Sequence, residues 1–114
     1  MNNQKAIPLE LIRGDTTTLQ VTVLDAEGNP WRLHDGDKLI FGMKKEISSG
    51  DYLIKKYVDT GASPYSITLE ATDTCNLPMG CYLYDIGLQT GAQYFHVVPI
   101  SALNLRSTVT EWGC

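Results

Sequence analysis

The amino-acid sequence predicts an all-β chain, and three features carry that expectation. Apolar and polar residues alternate with period two over most of the length, clusters of Gly, Asp, Asn and Pro interrupt the alternation, and no long segment has the periodicity of an amphipathic helix.

Residues 7–12, apolar but for Pro8 and Glu10, supply a first strand. In the clearest strand, 18–23, Leu19, Val21 and Val23 share one face while Thr18, Gln20 and Thr22 share the other, the pattern of a strand wet on one side. Asp25, Glu27, Gly28, Asn29 and Pro30 follow and require a turn, because they supply the positive and fixed φ values of a reversal. Gly36 and Asp37 open the next strand, 38–44, where Leu39, Phe41 and Met43 alternate with Ile40, Gly42 and Lys44. A strand over 52–58 comes after the loop 48–51, and a polar bend containing Gly61 leads to Tyr65, Ile67 and Leu69, which alternate with Ser66, Thr68 and Glu70.

Residues 71–77 are the one place that admits a helix, with Thr72 or Asp73 as cap and Pro78 and Gly80 as stop. Tyr82, Tyr84, Ile86 and Leu88 then alternate against Cys81, Leu83, Asp85 and Gly87 up to the turn Thr90-Gly91-Ala92. A partner strand is expected over 93–100 and a last one over 103–110, with Leu103, Leu105, Ser107 and Val109 on one face. The total of about seven to eight strands, spaced by roughly 8 to 12 residues, fits an antiparallel sandwich or barrel.

The 114 residues suit a single domain over 1–114 with its core in about 7–110. With 43% hydrophobic residues, a chain of this length removes roughly two-thirds of its unfolded surface from water and needs no metal or disulfide staple. Nine basic against thirteen acidic residues give a net charge of −4, and no run of Lys and Arg is dense enough to neutralise a row of phosphates. No nucleic-acid role is expected. The apolar runs are far shorter than a membrane span, and Met1-Asn2-Asn3-Gln4-Lys5 lacks a signal-peptide hydrophobic region, so a soluble chain with no membrane partner is expected. The three cysteines, Cys75, Cys81 and Cys114, are an odd number; reduced thiols are expected, with a Cys75–Cys81 bridge left open.

Two details favour a sandwich of immunoglobulin type. In Leu77-Pro78-Met79-Gly80-Cys81-Tyr82 a tyrosine stands at the start of a late strand just after a crossover, where a tyrosine corner turns its ring inward and ties its hydroxyl to upstream backbone. Trp31, after the first clear turn, is placed to seal one end of the core.

Signals for catalysis are weak: His34 and His96 are the sole histidines, and no nucleophile motif surrounds any Ser or Cys. No catalytic residue, cofactor or metal ligand is assigned. His34 belongs to the polar loop Leu33-His34-Asp35-Gly36-Asp37 and reads as a solvated turn residue, while His96, beside Phe95 in a strand, is expected to face solvent or a partner. Asp25, Glu27, Asn29, Asp35 and Asp37 do not follow the spacing of a calcium loop and serve turns instead. Arg13-Gly14-Asp15 spells an integrin-binding tripeptide, yet it joins two strands directly, so Gly14 is expected to bend the backbone. Trp31, Tyr52, Tyr57, Tyr65, Tyr84, Tyr94 and Trp112 are enough aromatics for a sugar-stacking platform, and carbohydrate binding is the alternative function. Tyr94, His96 and Trp112, on or beside the final hairpin, are the expected contact residues for self-association or a protein partner.

The order of motifs adds a resemblance. Ile12-Arg13-Gly14-Asp15-Thr16 leads to Leu19-Val21-Val23, Asp25-x-x-Gly28-x-Pro30 and Leu39-x-Phe41-x-Met43-Lys44. Ile67-x-Leu69, Asp73-Thr74, Leu77-Pro78-x-Gly80-x-Tyr82-x-Tyr84-Asp85-Ile86 and a final hairpin follow. Over about residues 7–110 this resembles the N-terminal immunoglobulin-like domain of phage upper baseplate proteins and related prophage structural proteins. The resemblance implies a virion structural module, made in the cytoplasm of a bacterial host, that meets other virion proteins, forms homo-oligomers and catalyses nothing. Such proteins normally continue past this domain, whereas this sequence stops at Trp112-Gly113-Cys114, so a small head or tail decoration is also consistent with it.

Overall fold

The computed structural model describes residues 6–48 and 50–107. It is all-β apart from one short helix: β1 (Leu9–Ile12), β2 (Thr17–Val21), β3 (Lys38–Lys44), β4 (Ile54–Val58), β5 (Tyr65–Leu69), α1 (Ala71–Thr74), β6 (Gly80–Thr90) and β7 (Gln93–Arg106). Five strands form one sheet in the order β1-β7-β6-β3-β4, and β2 and β5 form a second.

The inward residues of both sheets meet in one hydrophobic cluster. Leu39, Phe41 and Met43 of β3, Tyr82, Tyr84, Ile86 and Leu88 of β6, and Leu103 and Leu105 of β7 share it with Val21 of β2 and Tyr65, Ile67 and Leu69 of β5. Burying each such side chain contributes about 1.5–3 kcal/mol, which is why the period-two pattern decides which face of each strand turns inward. Trp31 is half-buried and packs against this cluster, and its carbonyl accepts the Tyr65 hydroxyl at 2.6 Å.

Two corrections to the sequence-based expectation concern the final strands. The segments 93–100 and 103–110 are not two strands; the described part of this stretch is the single strand β7, ending at Arg106. The expected interruption at 101–102 is absent, and the chain carries Pro99 in an irregularity instead. Ser101 lies opposite Tyr84 and Val98 opposite Ile86, so two residues of β7, Pro99 and Ile100, stand against Asp85 alone. A proline fits there because a bulge demands no ladder donor from it. A second irregularity, between Ile86 and Gly87, leaves Val97 as an extra residue.

The five-stranded sheet is also not antiparallel throughout, since β1 runs parallel to β7 with Leu9 opposite Leu103 and Ile12 opposite Arg106. These strands lie at opposite ends of the chain, so the long crossover that a parallel pair requires is available. The first strand begins two residues later than expected, at Leu9. Pro8 has no N–H for a ladder, and Ile7 is held by side chains instead: its N–H donates to Ser101 Oγ at 3.0 Å and its carbonyl accepts the Tyr84 hydroxyl at 2.5 Å.

Turn chemistry follows the sequence. Gly14 has φ 85°, and its N–H donates at 2.9 Å to the buried Thr74 Oγ1, so Arg13-Gly14-Asp15 is a tight connection between β1 and β2. Asp25 Oδ1 accepts the N–H groups of Glu27 and Asn29, each at 2.9 Å, which ties the carboxylate into the turn. The helix spans one turn, Ala71–Thr74, with Glu70 in the cap position. Asp73, considered above as the cap, acts from three residues further on, where its carboxylate accepts the Glu70 N–H at 2.7 Å. The Tyr82 hydroxyl donates to the carbonyl of Pro78, four residues upstream, as a corner tyrosine does. No disulfide joins Cys75 to Cys81; Cys114 lies outside the described residues.

Candidate functional site

The outer face of the five-stranded sheet is built around two glycines in strand interiors, where no side chain covers the backbone. On β3, alternation sends Ile40, Gly42 and Lys44 outward, and on β6 it sends Asp85, Gly87 and Gln89 outward. Gly42 pairs with Asp85 and Gly87 with Ile40, so the two glycines are diagonal neighbours at the centre of the face.

Tyrosine rings from the flanks fill both gaps. A Cβ built on Gly87 would lie 2.6 and 2.7 Å from ring carbons of Tyr94, and one on Gly42 would lie 2.6 Å from a ring carbon of Tyr52. No other residue type leaves room for these rings to lie against the strands. Tyr57, opposite Ile40 on β4, completes the group. All three tyrosines remain about half exposed, at 48% for Tyr52, 53% for Tyr57 and 52% for Tyr94.

Lysines stand over two of these rings. Lys44 and Lys55 place their Nζ atoms 4.7 and 4.6 Å from the Tyr52 centroid, and Lys38 lies 5.4 Å and Lys55 5.6 Å from that of Tyr57. The Lys55 ammonium is held above its ordinary pKa, first by its hydrogen bond with Tyr57. Burial raises the pKa of the Tyr94 phenol, and the Asp85 carboxylate raises it further. Asp85 also lies 3.4 Å from His96 Nε2, and the His96 ring meets Tyr94 edge-on with centroids 5.6 Å apart. Beside Gly42 an open hollow of about 120 Å³ is lined by Lys44, Ile47, Tyr52, Asp85 and Ile100 among others.

Of the contact residues expected from sequence, Tyr94 and His96 therefore belong to one exposed cluster, and Trp112 lies outside the described residues. The aromatic set divides: Tyr65 and Tyr84 are core, Trp31 is half-buried, and Tyr52, Tyr57 and Tyr94 form the face. Sequence reasoning names Tyr52 and Tyr57 among the candidate platform aromatics, but Lys38, Lys44 and Lys55 escape it. The available signal is a pair of mid-strand glycines, which weaken a strand unless something lies across them.

His34 is exposed in its turn, where its N–H donates at 3.0 Å to Asp37 Oδ2. Asp37 is buried and held below the ordinary carboxylate range, first by that backbone N–H and against the opposing effect of burial. Its carboxylate closes the turn into β3, because Asp37 also donates its own N–H to the His34 carbonyl at 2.9 Å. Among the described residues no three His, Cys, Asp or Glu side chains gather as a metal site, and no helix is long and apolar enough to cross a membrane.

Comparison with protein-family models, with curated proteins and with solved structures gave no match.

Proposed function

We propose that this chain is a non-catalytic structural and assembly module of a phage or prophage virion, an immunoglobulin-like sandwich that acts through protein–protein contacts. The observation that carries the proposal is the exposed cluster of Tyr52, Tyr57 and Tyr94 with Lys38, Lys44 and Lys55 on the outer face of the large sheet. Tyrosines fixed against a rigid sheet lose little entropy on docking, and aromatic residues are enriched in interface cores. On β3, β4 and β6 the outward strand residues bring three lysines against Asp85 in a chain of net charge −4, so an acidic partner surface is the natural complement. The sandwich reading is supported by the core that the two sheets share and by the Tyr82 hydroxyl on the Pro78 carbonyl.

Carbohydrate binding fits the same tyrosines less well. A sugar ring stacks on an open aromatic face, whereas Tyr52 and Tyr57 have ammonium groups within 5.6 Å of their centroids. The deciding experiment is quantitative mass spectrometry of density-gradient-purified particles from the phage or prophage that encodes the chain. The proposal expects the chain in the particle fraction at a fixed ratio to the other structural proteins. Presence in the soluble lysate alone, with binding on a glycan array lost in Tyr94→Ala, would replace it with the carbohydrate reading.

A further inference from the structure

We infer that the chain self-associates through the free edge of β2, which pairs antiparallel with β2 of a second copy and joins the two small sheets into one of four strands. In the described residues β2 is bonded to β5 alone. Its outward side chains are already engaged with that neighbour, Thr18 with Thr68 at 3.1 Å and Gln20 with Ser66 at 2.9 Å, so what remains to be used is the backbone along the other side.

Among the described edge strands β2 differs from β1 and β4 in carrying no protecting residue of its own. Residues 16–23, Thr-Thr-Thr-Leu-Gln-Val-Thr-Val, contain no charge, proline or glycine. The edge strand β1 has Pro8 before it and carries Glu10, bound to Arg106 at 3.1 Å; the edge strand β4 carries Lys55 and Lys56. β4 packs beside β5, where Lys56 reaches Asp73 at 2.8 Å just beyond the end of β5. Charges and prolines of this kind are how sheet edges avoid pairing, and β2 lacks them.

A hollow of about 510 Å³ runs along residues 18–22, four of them in β2 and Thr22 just past its end, with Leu9, Ile86, Val97 and Val98 on its far side. The occupant that the charges favour is the same strand from another copy. Two β4 edges brought together would set lysine against lysine, whereas two β2 edges meet without any charge. In an antiparallel register centred on Gln20, Leu19 of each copy falls opposite Val21 of the other on the hollow side, and Thr18 falls opposite Thr22 on the polar side.

Sedimentation velocity over a dilution series tests this. The wild-type chain is expected to reach twice the 12.6 kDa of a single chain, and Thr18→Lys/Gln20→Lys, which sets like charges across the axis, is expected to halve that mass. Both altered positions are exposed, and an unchanged circular dichroism spectrum and Tm would show the variant folded. Tyr94→Ala is expected to stay dimeric, which separates this contact from the tyrosine face. Hydrogen exchange on the wild type needs no variant: protection of the amides of residues 18–22 should rise with protein concentration. A chain that sediments at single mass throughout, a dimer that survives the double substitution, or protection independent of concentration would overturn the inference.

Discussion

The ring of Tyr94 occupies the place where a side chain of Gly87 would stand: a Cβ there would lie 2.6 Å from its ring carbon Cζ. The two residues are diagonal across the β6–β7 ladder, Gly87 opposite His96 and Tyr94 opposite Gln89, so neither has a free choice of conformation while the other keeps its own.

From this contact a sign reversal is predicted. Gly87→Ala in the wild-type background should destabilise by about 1 kcal/mol, because the ring must leave the strand. In the Tyr94→Ala background the same change should be neutral or stabilising, because alanine then only removes the conformational freedom of a strand glycine. Urea unfolding of the four proteins measures the coupling, and additive effects would show that the ring does not depend on the glycine.

Tyr82→Phe should cost about 1 kcal/mol, since the Pro78 carbonyl loses its donor. Tyr57→Phe, at an exposed ring, should change stability less. Equal, negligible effects in urea titrations would contradict a corner role for Tyr82.

Gly14→Ala should cost about 1 kcal/mol or more, because φ at this buried residue is 85°. Gly50→Ala is the control, with no atom within 4 Å of the added Cβ, and should stay within about 0.5 kcal/mol of wild type. The same turn predicts that Asp15→Glu leaves integrin-bearing cells indifferent; cell attachment that depends on Asp15 would contradict the backbone role.

Asp37 sets a pH dependence. Its folded pKa lies below the unfolded value of about 3.9, so it stabilises the fold above that value, and the contribution is lost as pH falls through the folded pKa. Asp37→Asn should therefore be less stable than wild type at neutral pH, and the gap should narrow below about pH 4. Chemical unfolding of both proteins across that range checks it; a gap independent of pH would mean that the ionised carboxylate is not what closes the His34 turn.

How far the sequence carried the fold differs from element to element. β3 matches the expected 38–44, because its glycine and aspartate entrance and its strict alternation admit one register. The clear strand at 18–23 ends at Val21 in the structure, because Val23 turns its N–H to Ser63 Oγ and its carbonyl to Trp31 N–H. The merging of the last strands was not legible, since Ser101 and Ala102 read locally as a gap between two strands, whereas in the structure they continue the ladder opposite Tyr84 and Leu83. The candidate site was legible only in part: alternation puts Tyr84 on one face with Tyr82 without excluding it from the aromatic platform, and Tyr52 precedes its strand, so that its position over Gly42 comes from a tertiary contact with no local periodicity.

Incorporation of a surface variant into particles tests the central claim most directly. Tyr52→Ala/Tyr94→Ala removes the two rings that lie over the glycines and leaves the core residues in place, so its folding can be verified by circular dichroism before use. Expressed in a host whose phage or prophage lacks the wild-type gene copy, the wild-type protein should appear in purified particles and the folded variant should remain in the soluble lysate. Equal incorporation of the two proteins would contradict an assembly role for the tyrosine–lysine face.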